Sequence, residues 1–415
     1  MNMTEAEKTV AVVGGGAAGL MAAAAALDAG ARVVLYEKNP VWGKKLRITG
    51  KGRCNVTNDC TPDEILKNAA RNSKFLYSAV YGFTPADVMA FFEGAGVPLK
   101  TERGRRVFPV SDRAADIAEA LIEKVRRART VRTRIEGLCV RDGVCVGVRD
   151  ASGEHTHGAV ILATGGLSYP GTGSTGDGYK MARDAGIGIS DLSPSLVPVV
   201  CRENTSALMG LSLKNVRLSV IYGGKCIWSE QGEMLFTHFG VSGPLVLSAS
   251  AHMQKGSVGD YGLEIDLKPA LDEATLDARL VSDLTKYRAR DFINSLYDLL
   301  PQKLCADVVA RSGIDGRKKS GEVSRGERHK LLSVLKHYTL TPSAFRSFDE
   351  AIITRGGICT DEIYPATMMS RKVKNLFFAG EIIDVDAYTG GYNLQIAWST
   401  GAAAGKAAAK SVSGS

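Results

Sequence analysis

The 415-residue chain is 45% hydrophobic and 23% charged, a globular composition long enough for two or three packed units and free of low-complexity tracts. Its formal charge of +8 is spread over clusters near residues 44–53, 100–113, 124–134 and 317–330, with no zinc-finger, helix-turn-helix or RNA-binding signature beside them; the expected partners are anionic small molecules, with no nucleic acid. MNMTEAEK lacks the basic and apolar regions of a secretion signal, and the run around GLMAAAAAL is too short and alanine-rich to span a bilayer, so a cytoplasmic protein with no membrane partner is expected.

The first element is the most informative. Val10 to Val13 form a β-branched apolar run, the pattern of a buried parallel strand. Gly14, Gly16 and Gly19 follow as G-x-G-x-x-G at the turn into an alanine-rich helix. Gly30 ends that helix, RVVLYE is a second strand, and Glu37 stands at its tip. In this βαβ setting Gly14 makes the tight turn, Gly16 admits a pyrophosphate, and Gly19 lets helix pack on strand. The helix N-terminus attracts phosphate charge, and Glu37 accepts from a ribose hydroxyl.

Residues 41–58, VWGKKLRITGKGRCNVTN, set Lys44, Lys45, Arg47, Lys51 and Arg53 among Gly43, Gly50 and Gly52. A basic run this rich in glycine suggests backbone bending around a large, partly anionic ligand. The eight cysteines include no C-x-x-C pair, so neither a zinc site nor a thioredoxin-like dithiol is expected. Five residues separate Cys54 from Cys60, and the plain reading is reduced, structural thiols. Cys54 reads as a small buried hydrophobe, with a place near a cofactor as the alternative. SGEHTHG reads as a polar surface hairpin that exposes His155 and His157.

GAVILATGGLSYP is an apolar strand ending in Ala163, Thr164, Gly165 and Gly166. A second G-x-G-x-x-G follows at Gly171, Gly173 and Gly176, with Asp191 beyond it. The proline before it cannot complete a central strand, so this motif reads as a loop-to-helix connection. Residues 196–266 alternate in strand fashion, with turns at YGGK and SEQGE, and 272–340 turn helical. The closing stretch NLFFAGEIIDVDAYTGGYNLQIAWSTGAAAGKAAA joins a strand to Gly380-Glu381, a glycine pair and a long helix. A helix starting near Gly391–Asn393 would aim its N–H groups and positive dipole end at a ligand that gathers negative charge.

Together GGGAAGL, GKKLRITGKGRCNVTN, ATGGLSYPGTGSTGDGY, PSLVPV, LFTHFGVSGP and FFAGEIIDVDAYTGGYNLQIAWSTG resemble a bacterial FAD-dependent oxidoreductase family. It includes 3-dehydro-bile acid Δ4,6-reductases and aminoacetone-oxidase-type flavoproteins. The resemblance implies an α/β fold: a Rossmann-type FAD-binding domain from residues 1–190 and 345–415, with an inserted β-rich, barrel-like domain at 191–270 and a helical one at 271–344. It implies FAD as cofactor, NADH or NADPH as transient electron donor, and a small-molecule substrate. By the same resemblance the 44–58 loop wraps the flavin end of FAD, Lys44, Lys45 and Arg53 offering charge and Cys54 and Asn55 lining it. It places Glu381 on the ribityl chain, and extends the cofactor contacts to Ala17, Ala18, Lys38, Leu46, Gly50, Ile135, Asp386 and Leu394. His238, inside LFTHFGVSGP, is the first candidate proton donor, followed by Tyr169 and Tyr388 in glycine-rich loops. The implied activity is reduction of a C=C conjugated to a carbonyl in a steroid-like molecule. Amine oxidation and non-catalytic flavin binding are the alternatives. The sequence defines no oligomeric state.

Overall fold

A computed structural model describes residue 6 and residues 8–413; most of the N-terminal segment read for a secretion signal lies outside them. The chain divides into two compact units, Met1–Ser195 with Phe348–Ser415, and Leu196–Ser347.

The larger unit is built on strands β1 (Thr9–Val13), β2 (Arg32–Tyr36), β3 (Arg129–Val131), β4 (Ala159–Leu162) and β5 (Leu376–Phe378). They form one parallel sheet in the order β5-β4-β1-β2-β3. VAVV, VVLY, AVIL and LFF are all buried, as strands with both faces covered must be. Helices α1 (Ala17–Asp28) and α2 (Tyr392–Val412) pack on this sheet and on each other.

Two glycines set that helix pair. A Cβ at Gly401 would lie 2.6 Å from the Ala18 carbonyl oxygen, and one at Gly405 2.2 Å from that of Ala22. The contacts ascend together along both helices, so α1 and α2 are parallel. Ala18 is the second residue of α1 and Gly401 the tenth of α2, so at 1.5 Å per residue α2 begins about 12 Å beyond α1. The two positive helix ends are thus aimed the same way but staggered.

Nearer the start of α2, Trp398 is wholly buried edge-on to Phe92, and its indole N–H donates to the Val56 carbonyl at 2.9 Å. That bond fastens the end of the basic glycine loop to the helix.

The smaller unit holds a seven-stranded antiparallel sheet whose longest strands are Ser212–Tyr222 and Lys225–Thr237. Its helices Glu273–Lys286, Gln302–Ser312 and Arg325–Lys336 add Leu276, Leu304 and Leu331 to the same apolar core as Val220, Phe236 and Ile265. The β-rich and helical segments that the sequence separates near residue 270 therefore share one core. YGGK is a hairpin turn, but SEQGE is not: Lys225–Thr237 runs through it with a register shift opposite Leu213 and Val216. The glycine inside that segment, Gly232, faces Leu245, whose side chain would come within 3.2 Å of a Cβ there. It serves packing, where the sequence suggests a turn.

Candidate functional site

The C-terminal ends of β1, β2, β4 and β5 meet at one edge of the larger unit, the usual ligand edge of a parallel sheet. The turn after β1 assigns each glycine its task. Gly14 has φ +111°, and a Cβ on it would lie 2.4 Å from the Ala163 carbonyl oxygen at the tip of β4. A Cβ on Gly19 would meet the Gly14 oxygen at 1.9 Å. Gly16, the N-cap of α1, instead faces open space, with no heavy atom within 4 Å of its Cβ position. Two glycines are thus filled by protein and the middle one is open, as close approach by a ligand's pyrophosphate requires.

Glu37 at the tip of β2 accepts from the Gly15 N–H (2.7 Å) and from the backbone and side-chain amides of Asn39 (2.7 and 2.9 Å). Asn39 also donates to the Thr172 carbonyl, and a Cβ at Gly173 would strike its amide. The second G-x-G-x-x-G is therefore a turn folded against the Glu37 loop. It leads through Gly176 into the short helix Asp177–Asp184, a loop-to-helix connection. Lys38 pairs with Asp177 at 2.7 Å, which Arg134 also meets at 2.7 Å.

The basic glycine loop and the start of α2 come together. Gly391, the N-cap of α2, has φ +97°, and a Cβ there would lie 2.4 Å from the Thr57 carbonyl and 3.0 Å from Asn55 Oδ1. Asn58 donates to the Gly390 carbonyl at 3.0 Å, and Thr57 to the Gln395 side-chain oxygen at 2.6 Å. Asn393 clasps the preceding loop, accepting from the Ala387 N–H (2.9 Å) and donating to the Ala387 carbonyl (2.7 Å). Among the described residues, Thr164 Oγ1 is buried without a partner but is turned onto Gly178, whereas two buried side-chain oxygens along this edge, Asn55 Oδ1 and Asn58 Oδ1, lack a hydrogen-bonding partner. Buried polar atoms are seldom left unpaired, so these fit a polar ligand such as FAD.

Other expected contacts are placed differently. Arg53 does not offer a free charge: its guanidinium pairs with Glu102 and with Asp112 and lies 4.3 Å from the Phe108 ring centroid. Glu381 is turned toward Lys45 Nζ at 2.6 Å, which also donates to Ser168 Oγ at 2.6 Å. Lys44 caps the Gly171 carbonyl at 2.7 Å. Cys54 is wholly buried and burial pushes its thiol up to about 12, so the sulfur stays protonated; all eight cysteines are free. Leu46, Ala18 and Ile135 are buried, Ala17 and Leu394 keep partial exposure, and Gly50 is exposed. A Cβ at Gly165 would touch Ser174 Oγ, and one at Gly380 would lie 2.6 Å from that of Ala18. Asp386 is buried with Ser195 Oγ on one carboxylate oxygen (3.2 Å) and no partner on the other; burial pushes it up to about 6, against Ser195, Arg355 and Arg71.

Tyr169, in the left-handed region at φ +52°, donates its N–H to the Phe348 carbonyl, and Tyr388 donates its N–H to that of Asn68. His238 belongs to the smaller unit, exposed at the two-residue turn after Lys225–Thr237 with its ring edge-on to Phe239. His157 corrects the sequence reading. It is buried, bonded to Thr9 Oγ1 (2.7 Å) and Tyr36 Oη (2.8 Å), and burial pushes it down to about 4. His155 stays half-buried against Asp150 at 3.0 Å.

Sequence reasoning also missed Asn39, Ser168, Thr354 and Gln395. Asn39 follows Glu37 by two residues and Ser168 closes the ATGG turn, so both lie beside motifs; Thr354 carried no signal.

A glycine-turn Rossmann fold whose last helix aims at the same edge defines an FAD-dependent oxidoreductase. The HI0933-like protein Rossmann domain family matches residues 8–407, and the chain belongs to it. It is 31% identical over 408 residues to the 3-dehydro-bile acid delta(4,6)-reductase of Clostridium scindens, covering 97% of this chain and 99% of that protein. It is also 31% identical over 398 residues to the ribosomal RNA dihydrouridine synthase of Haemophilus influenzae, covering 94% and 95%. Among solved structures it is similar in fold to the quinol fumarate reductase of E. coli, with a TM-score of 0.53, 18% identity, and 98% of this chain and 70% of that one covered.

Proposed function

We propose that this FAD-dependent oxidoreductase adds two hydrogens across a C=C bond conjugated to a carbonyl, drawing on NADH or NADPH, in a steroid- or bile-acid-like small molecule. The observation that carries the reading is the sheet edge itself, where the open Gly16 turn and the two staggered helix ends share one face. The C. scindens relative's name supports the substrate class. Bound there, FAD supplies two-electron hydride chemistry. Gly14 to Gly19 and the start of α1 would hold its pyrophosphate, Glu37 its ribose, and the loop of Lys45 and Asn55 its flavin end. The start of α2 would favour negative charge on the ring.

The reaction balances as NAD(P)H, one proton and C=C going to NAD(P)⁺ and CH–CH. The hydride adds β to the carbonyl and the proton α to it. His238 delivers the proton, with Tyr169 and Tyr388 next in order. The nicotinamide donor is a passing visitor: at the second glycine motif the middle glycine, Gly173, faces Asn39 where in the first motif Gly16 stays open.

A second substrate reading rests on the charge of +8 and on the H. influenzae relative's name. Dihydrouridine also arises by adding two hydrogens to a C=C conjugated to a carbonyl, which would make uracil in RNA the acceptor. Anaerobic stopped-flow spectroscopy tests both. Bleaching by NAD(P)H and reoxidation by a dienone steroid is the expected result; reoxidation by an rRNA fragment alone transfers the reading to RNA. Bleaching by aminoacetone, with reoxidation only by oxygen, overturns it. His238→Ala should slow the acceptor half-reaction alone, by roughly a hundredfold.

A further inference from the structure

The chain leaves the larger unit and re-enters it through a two-stranded antiparallel ribbon, Ser193–Ser195 paired with Ile353–Arg355. Thr354, opposite Pro194, is 1% exposed. Its Oγ1 accepts from two consecutive N–H groups, Leu167 (2.7 Å) and Ser168 (3.0 Å). Its own N–H leaves the ladder and donates to Glu381 Oε1 at 2.9 Å. The same carboxylate takes Ser168 Oγ on that oxygen at 2.5 Å and Lys45 Nζ on the other at 2.6 Å. A Cβ at Gly166 would lie 2.4 Å from Thr354 Oγ1 and 3.1 Å from Glu381 Oε1, so the glycine makes room for both groups. The partner strand grips the same closing segment through Ser195 Oγ on Asp386.

We infer that Thr354 is a positioning residue for the flavin site, holding the Gly166–Ser168 turn and the Glu381–Lys45 pair in one geometry from the ribbon at which the chain leaves and re-enters the larger unit. The inference rests on the FAD reading above. A valine keeps the shape of threonine but offers no acceptor, leaving two N–H groups unpaired and free to draw the turn, and with it Ser168 and Lys45, away from Glu381. Serine keeps the acceptor.

The test is the FAD dissociation constant, visible spectrum and flavin midpoint potential of full-length wild type, Thr354→Val and Thr354→Ser. Thr354→Val should weaken FAD binding by roughly tenfold or more and shift both spectrum and potential. Thr354→Ser should restore all three. Thr354→Ala carries the same expectation if the valine chain does not fold. A Thr354→Val protein that melts lower but keeps wild-type affinity, spectrum and potential has lost only a structural contact, which overturns the inference. So does a serine variant as impaired as valine. Wild-type protein that takes up no FAD sinks the cofactor assignment instead, a separate result.

Discussion

His157 shows how a single side chain is fixed by hydrogen-bond arithmetic. Thr9 Oγ1 has one hydrogen and spends it on the Ala6 carbonyl at 2.6 Å, so His157 Nδ1 must be the donor to Thr9 and Nε2 the acceptor from Tyr36. The ring is neutral, and burial holds its folded-state value at about 4 against the ordinary 6.5. Between those values the unfolded chain gains a proton that the folded chain refuses. The stability involved is full above pH 6.5 and is lost as pH falls toward 4, on the order of 2–3 kcal/mol in total. His157→Gln removes that proton, so urea unfolding at pH 7 and pH 5 should show wild type losing stability more steeply than the variant. Parallel profiles would refute the assignment. His252, also pushed down by burial to about 4, titrates in both proteins and cancels. None of this was legible in SGEHTHG, whose polar pattern looks the same whether a ring faces water or lies against β1 and β2. The glycines of the first turn were legible because their spacing between a strand and a helix is itself a pattern, and at Gly19 the backbone it must meet, that of Gly14, lies in the same turn. Arg53 and Glu381 read as cofactor contacts alone, because their protein partners lie 49 residues away at Glu102 and 336 away at Lys45.

At the scale of elements, the α1–α2 pair matters more than either helix alone. Alanine along α1 and glycine at Gly401 and Gly405 let backbones touch, and this sets how far α2 reaches past α1. Gly405→Val would drive a side chain into the Ala22 carbonyl. It should cost about 3 kcal/mol from overpacking and weaken FAD binding in whatever fraction folds, measured by thermal melting and FAD titration. Gly326, in the helix Arg325–Lys336, has nothing within 4 Å of its Cβ position, so Gly326→Ala should raise stability by roughly 0.5–1 kcal/mol. Equal effects of Gly405→Val and Gly326→Ala on FAD affinity would contradict the register argument. Four of the parallel strands and α2 could be read from apolar runs and flanking glycines; β3, the sequence RTV, carries no such run. The strand through SEQGE could not, since glycine there marks close packing by Leu245 and looks like a turn in one dimension.

For the whole molecule, two cores imply two melting transitions. FAD adds stability only to the unit that binds it, about 2.7 kcal/mol at a hundredfold excess over its dissociation constant. Calorimetry with and without FAD should therefore move one transition and leave the other. A single transition that shifts as one would show that the units unfold together. The ribbon has a consequence for how such a protein can change. The strands on which the chain departs and returns are paired in the larger unit, and in the smaller one Val199 and Phe345, near its two ends, are paired as well. To the redox unit, everything between is one closed loop, and loop-closure cost grows only slowly with length. The ribbon is a socket: one insert can be exchanged for another with paired ends while the sheet and glycine turns of the larger unit are inherited intact.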